Sequence, residues 1–329
     1  MASPGRPRAR CAIVGLGRIG SLLEEDRLRE KPASHAGAVD ASRDCVLEAG
    51  CDLSAERREA FARRWSCRHL YEDAGRMLAR HAPDILHVAT PPESHLELVS
   101  LAAAARVPVV ICEKPLARGA SEARRIVELC RESGTALLVN HERRYARDYR
   151  AARERVAGGG LGELAAVSGR LHVGSRPAAD ALWDDGTHLL DALRFLTGGE
   201  LEPLYACGQA ASPGGVLQVL LRAGGVPVSL QVGGGLEPLV FELDLCFRRG
   251  RLRIGNGLYE EWVSAPSPYY QGFRSLRRLR RRAPRRTGYF SGMLADAVAV
   301  LREPGRRPVS SGADGLAAEE AIERILSLL

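Results

Sequence analysis

Lys31 and Lys114 are the only lysines in a chain that takes every other strong cation from arginine. A guanidinium stays protonated at any useful pH, whereas a lysine ammonium can be desolvated and made to give up its proton. Lys114 stands in Glu113-Lys114-Pro115 at the end of the apolar run Val107 to Cys112, and this makes it a candidate for proton chemistry. A second candidate is the spacing Asp184-x-x-x-His188, with Asp185 adjoining. An unperturbed imidazole pKa of about 6.5 suits a general base. Apolar residues at 189, 190, 193 and 196 mark a helix that opens near His188, where Asp184 or Asp185 is expected to cap and lies one turn from the imidazole.

Gly15-Leu16-Gly17-Arg18-Ile19-Gly20 carries the spacing G-x-G-x-x-G directly after the apolar run Cys11 to Val14. A buried strand entering such a turn is the context of a dinucleotide site. The first glycine permits the turn, the second lets the backbone approach a pyrophosphate, and the third lets the next helix pack closely with its N-terminus toward the anion. The run Val46 to Asp52 ends in an acid suited to both ribose hydroxyls and hostile to a 2′-phosphate, so NAD is expected over NADP. Arg57 and Arg58 downstream keep NADP open. The separation of Gly20 from Asp52 exceeds the usual ~20 residues, and the polar stretch Glu24 to Ser34 reads as the insertion responsible.

The elements that must hold these groups alternate. Ala55 to Trp65, Asp73 to His81 and Ser94 to Ala105 read as helices; Ile85 to Ala89, Val107 to Cys112 and Ala136 to Val139 read as strands. That pattern predicts a doubly wound parallel sheet, in which ligands bind beyond the carboxyl ends of the strands. The glycine turn, Asp52, Thr90, Lys114 and the segment from Asn140 all fall at such ends. From Leu164 to Val263, short alternating runs broken by glycine and proline predict antiparallel hairpins. One face of that sheet needs a cover, for which a second subunit is the expectation. Gly292 to Leu301 and Leu316 to Leu329 read as packing helices.

Bulk properties narrow the partners. The net charge is +7, but eight arginines fall between Arg274 and Arg286, where a solvated loop or helix end without aromatic interleaving is expected and nucleic acid is not. The eight cysteines are scattered without a C-x-x-C pair and read as reduced core residues of a cytoplasmic protein, with no metal site. Gly15, Gly17 and Arg18 break the first apolar stretch, so neither a signal peptide nor a membrane span is expected.

Taken in order, GLGRIG at 15–20, ATPPESH at 89–95, CEKP at 112–115, VNHERRY at 139–145 and WDDGTHLLDALRFLTG at 183–198 resemble the glucose-fructose oxidoreductase and inositol dehydrogenase family, Gfo/Idh/MocA. The resemblance implies a Rossmann domain, placed at residues 1–118, and a substrate-binding and oligomerisation α/β domain with an open, mostly antiparallel sheet, placed at 119–329. It implies homodimers or homotetramers. It makes Lys114 the lysine of the E-K-P motif, and Asp184 and His188 the D-x-x-x-H pair in which histidine accepts the proton. The cofactor set is then Gly15, Gly17, Arg18, Ile19, Gly20, Asp52, Thr90, Pro91, His95 and Glu113. Polar residues at the remaining carboxyl end, Asn140, Arg143, Arg144 and Tyr145, together with His172 and Asp185, are assigned to a polyol substrate. Two departures stand out: the insertion, and a short stretch between Val173 and Trp183 where many members carry a glycine-rich loop.

The expected activity is hydride transfer between a nicotinamide and a secondary alcohol or ketone of a sugar, cyclitol or amino-sugar derivative. NAD-assisted glycoside cleavage and a non-catalytic dinucleotide-binding regulator are the alternatives. Net NADH production from a free polyol separates the first from both.

Overall fold

The computed structural model describes residues 7–279, 284 and 286–329. The chain divides into two compact units, 1–145 with 288–316 and 146–287 with 317–329.

The first unit opens with β1 (Ala9–Val14), α1 (His35–Asp40), β2 (Cys45–Cys51), α2 (Ala55–Trp65), β3 (His69–Tyr71) and α3 (Ala74–His81). It continues through β4 (Ile85–Val88), α4 (His95–Ala104), β5 (Val109–Cys112), α5 (Ala120–Ser133) and β6 (Ala136–Val139). The six strands are parallel in the order β3-β2-β1-β4-β5-β6, which reverses between β1 and β4. That reversal is where a doubly wound sheet opens its ligand crevice. Both faces are buried. Leu86, Val88, Val110 and Cys112 meet Met77, Val99, Ala102, Ala123 and Ile126 on one side. Ile85, Val109, Ile111 and Leu138 meet Phe290, Met293, Leu294 and Ala297 on the other.

Those last residues correct the expected domain boundary at 118. β6 extends the parallel sheet by pairing with β5, and the late segment 288–316 covers one of its faces, so sheet and cover form one unit. Sequence distance is no obstacle to such packing once the apolar face is there to be buried.

The second unit contains α6 (Arg147–Ala157), β7 (Leu164–His172), α7 (Ala178–Ala181), α8 (Thr187–Thr197) and β8 (Leu201–Gly208). Then follow β9 (Val216–Ala223), β10 (Val226–Gly233), β11 (Val240–Phe247), β12 (Gly250–Gly255), β13 (Leu258–Pro266) and β14 (Arg274–Leu279). The helices α9 (Tyr289–Arg302) and α10 (Gly312–Leu326) close the chain. The eight strands run β14-β13-β12-β11-β7-β10-β9-β8, antiparallel except for the parallel pair β7 and β10. Val167, Gly169 and Leu171 point to the packed face, where a Cβ on Gly169 would stand 2.6 Å from Leu230 and 3.7 Å from Leu189 of α8. Ser168 and Arg170 point outward and are exposed.

The basic run departs from its expected loop or helix end. Arg274 to Leu279 form the edge strand β14, paired with β13, and Arg278 pairs with Glu260 and lies 5.9 Å from the Trp262 ring centroid. Arginines along an edge discourage pairing with another strand. Arg280 to Arg282 and Arg285 lie outside the described residues. All eight cysteines are free, but Cys207 and Cys246 are exposed, because alternation turns them to the outer face.

Candidate functional site

One main-chain pattern builds the carboxyl edge of the parallel sheet. The first residue past each strand bonds back to the last residue of its neighbour: Gly15 N–H to Cys51 O at 2.8 Å, Ala89 to Val14 at 2.8 Å, Glu113 to Val88 at 2.9 Å and Asn140 to Cys112 at 2.8 Å. The glycine turn, the Thr90 loop, the Glu113-Lys114 turn and Asn140 are therefore carried on one continuous ladder.

Steric demands separate the glycines. Gly15 has φ +89°, and a Cβ there would stand 2.6 Å from Ala89 O. At Gly20 a Cβ would stand 1.9 Å from Gly15 O. Gly17 is different, since a Cβ would meet only the Arg57 guanidinium at 3.6 Å. The protein itself leaves Gly17 room, so the backbone there stays open to a ligand's approach.

The insertion is spliced into the first helix. After the glycine turn the chain forms a 3-10 turn at Leu22–Glu25 and returns at Ser34, and His35 N–H and Ala36 N–H then bond to Ile19 O and Gly20 O at 3.1 and 2.9 Å. The helix expected straight after Gly20 thus resumes only across the excursion. Lys31 explains itself here: its ammonium donates to Leu23 O at 3.0 Å and Asp26 O at 2.7 Å and closes the loop.

Asp52 is 8% exposed, and its carboxylate accepts from Leu16 N–H at 2.8 Å and Ser54 N–H at 2.9 Å. Arg57 approaches it at 3.6 Å, and Arg58 donates to Asp52 O at 2.6 Å. The glycine turn, open over Gly17, with an acid fastened beneath it, fits a dinucleotide. Among the described residues no three His, Cys, Asp or Glu side chains are grouped so as to hold a metal ion.

Glu113 is buried beside Lys114, which is half-buried. The Glu113 carboxylate accepts from His35 Nε2 at 2.9 Å and Asn140 Nδ2 at 2.6 Å. Burial acts to raise its carboxyl, but the bonds from His35 and Asn140, with the charges of His35 and Lys114, outweigh it and hold the group below the usual carboxylate range. Glu142 goes the other way: burial raises it, and the Glu113 charge adds to the rise.

Several assigned ligand-binding residues have other employment. The His95 ring is fully buried with its nitrogens against Leu116 O at 3.1 Å and Thr90 O at 2.9 Å, so it braces two loops of the edge. Arg144 is buried, donates to Val309 O at 3.0 Å and pairs with Asp314 at 2.9 Å. The Tyr145 hydroxyl donates to Asp296 at 3.1 Å, and burial pushes that phenol well above its usual range. Arg144 and Tyr145 are structural ties to the late segment 288–316. His172 is buried and contacts Gln231 at 3.0 Å on the same sheet face as Arg170, opposite the face that meets α8. Arg18 and Pro91 are exposed, and Arg143 is mostly buried with its guanidinium 3.6 Å from Glu142. The Asn140 Oδ1 is buried without a hydrogen-bond partner among the described residues.

In the second unit α7 and α8 form one helical run through a π-helical turn at Leu182–Gly186. Asp184 and Asp185 lie within that widened turn, so neither caps a helix start. Arg176, from the short stretch before Trp183, stands 3.0 Å from Asp184 and 3.6 Å from Asp185. His188, 9% exposed, follows one turn later. Single-turn π segments occur often at functional sites. Composition patterns could not announce this turn, whereas the missed Arg176 was visible as the only basic residue between Val173 and Trp183.

The sequence model of an oxidoreductase family with an NAD-binding Rossmann fold, Gfo/Idh/MocA, matches residues 9–141. Residues 9–141 therefore carry the NAD-binding Rossmann domain of the Gfo/Idh/MocA oxidoreductases. Among similar proteins, a D-glucoside 3-dehydrogenase of Escherichia coli (strain K12) is 29% identical over 203 residues, 57% of this chain and 54% of that protein. A D-apiose dehydrogenase of Paraburkholderia graminis is 32% identical over 159 residues, 45% of this chain and 42% of that protein. The match thus spans about half the length of these relatives. An oxidoreductase from Agrobacterium radiobacter, solved with NAD+, L-tartaric acid and magnesium, superposes with a TM-score of 0.78 at 22% identity, covering 98% of this chain and 96% of that one. The WlbA dehydrogenase from Bordetella pertussis, solved with NADH and UDP-GlcNAcA, gives 0.75 at 21% identity with coverages of 98% and 96%. At these identities the likeness establishes the fold.

Proposed function

We propose that this protein is an NAD(P)-dependent dehydrogenase or reductase acting on a CH–OH group, or the matching ketone, of a sugar, cyclitol or amino-sugar derivative. The observation that carries the reading is the carboxyl edge itself, where one main-chain ladder holds the glycine turn, Asp52's anchor and the Glu113-Lys114 turn. The names of the relatives, a glucoside dehydrogenase and an apiose dehydrogenase, support a polyhydroxylated substrate.

Gly15 to Gly20 would hold the pyrophosphate and Asp52 the adenosine ribose, with NAD favoured over NADP. When bound, the nicotinamide supplies or accepts the hydride. Lys114 stabilises the developing alkoxide with its positive charge and relays the hydroxyl proton. His188 is the general base, and Asp184 orients substrate or imidazole. Asn140 offers its buried Oδ1 to a substrate hydroxyl. We further propose that copies of the chain associate as a dimer or tetramer.

A panel of cyclitols, aldoses and amino sugars with NAD and with NADP, followed at the NADH absorbance, tests the reading. Net reduction of the cofactor by a free polyol is expected. Cleavage of a glycoside without net NADH, or cofactor binding without turnover across the panel, would replace it.

A further inference from the structure

The deepest polar cluster of the first unit lies behind Lys114. His35 and His87 are fully buried, Asn140 is 2% exposed and Glu113 is 6% exposed. His35 contacts Glu113 through Nε2 at 2.9 Å and His87 through Nδ1 at 2.9 Å, with its ring set edge-on to Phe290 at 5.5 Å. A carboxylate only accepts, so His35 Nε2 carries a proton. The backbone N–H of Lys114 points back at the other Glu113 oxygen at 3.3 Å. Three segments therefore meet at one carboxylate, α1, the turn after β5 and the residue after β6, while β4 backs His35 through His87.

A buried, ionised carboxylate is expensive unless hydrogen bonds and a countercharge satisfy it. Here His35 and Asn140 donate, and the charges of His35 and then Lys114 act on the carboxyl as well. We propose that His35 and Asn140 are positioning residues, whose bonds pin Glu113 as an anion beside Lys114 and so hold the lysine as an ammonium. The proposal deepens the role given to Lys114 above and rests on it for its catalytic meaning. The insertion acquires a purpose in this arrangement. Glu24 accepts from Ala33 N–H at 2.5 Å and Ser34 Oγ at 3.1 Å, Ser34 caps α1 by accepting from Gly37 N–H at 3.0 Å, and His35 follows at once.

Two other titratable groups of this region are shifted the opposite way, away from their charged forms. Glu142 is raised by burial and by the Glu113 charge, and Arg143 beside it works against that rise together with Lys114 and Arg29. His87 is pushed well below the usual imidazole range by burial and by His35, and so adds no positive charge near neutrality. Glu113 is thus the anion that the cluster is built to keep.

The lysine count makes a direct test possible. In the resting full-length protein, trinitrobenzenesulfonate labels only unprotonated amines, and peptide mass spectrometry resolves Lys114 from Lys31, the internal standard. Glu113→Gln preserves shape and removes the charge; His35→Leu removes the donor; His35→Gln keeps an amide donor without a titrating ring. Labelling of Lys114 relative to Lys31 should rise about fivefold or more in Glu113→Gln and His35→Leu, and stay within about twofold of wild type in His35→Gln. Circular dichroism and cooperative thermal unfolding identify the folded variants, and Glu113→Gln carries the test if His35→Leu does not fold. Unchanged labelling in folded Glu113→Gln overturns the proposal. No substrate takes part, so loss of the catalytic reading through an active Lys114→Arg variant leaves this result standing, and the converse also holds.

Discussion

The Asp52 carboxylate accepts a hydrogen bond from the Leu16 N–H at 2.8 Å, which fastens the acid after β2 to the glycine turn after β1. The acid therefore shapes the turn, beyond the ribose-binding role proposed for it. Its second oxygen, on Ser54 N–H at 2.9 Å, fixes the entry to α2 and with it Arg57.

Cofactor preference should follow from that placement. NAD is expected to bind apo protein more tightly than NADP in parallel titrations. Asp52→Ser should narrow or invert the preference while the far-ultraviolet circular dichroism stays the same. Tighter NADP binding by the wild type would show that Arg57, 3.6 Å from the carboxylate, governs the choice.

The glycines should divide by function. Gly15→Ala places a side chain at positive φ and against Ala89 O, and should cost at least about 2 kcal/mol of stability. Gly17→Ala meets only Arg57 at 3.6 Å and should leave stability within about 0.5 kcal/mol while weakening NAD binding at least ~10-fold. Thermal unfolding and NAD titration of both variants check the division; equal stability losses would remove the argument for a ligand-enforced glycine.

Lys114→Arg keeps the charge and removes proton exchange near neutrality. The variant should bind NAD normally and lose roughly 10²-fold or more in turnover. His188→Ala should fall similarly, and the double variant should be little worse than either single one if the two groups act as a unit. Turnover near wild type in Lys114→Arg would leave charge alone as the contribution of the lysine.

Acid stability should carry two signatures of the buried cluster. His87 is held neutral by burial, so its share of stability is present above about pH 6.5 and is lost as pH falls below that value. Glu113 has a depressed carboxyl, so its share is present above about pH 4.3 and is lost as pH falls through the lower folded value. In melting curves, His87→Gln should flatten the decline between about pH 7 and 5, and Glu113→Gln the decline below about pH 4.5. Superimposable pH profiles for wild type and His87→Gln would mean that His87 meets a charge compensation in the folded state.

Read alone, the sequence determined what is local. The glycine turn, the strands ending at Val14, Cys51, Val88 and Cys112, and most hairpin strands are set by patterns a few residues long, because a turn's φ and a strand's alternation are decided by nearest neighbours. The place of Lys114 just past the carboxyl end of a parallel strand was legible from the apolar run before it. Only the tertiary structure decided which buried polar groups meet. Tyr145 finds Asp296 151 residues away, Arg144 finds Val309 165 residues away, and His35 finds Glu113 78 residues away. The order of the strands creates those encounters. A buried polar side chain must take whatever partner the fold brings within reach, since leaving it unpaired costs about 1–3 kcal/mol. That is why Arg144, Tyr145 and His95 proved to be ties of the framework, and why His35, inconspicuous behind an insertion, stands at its centre.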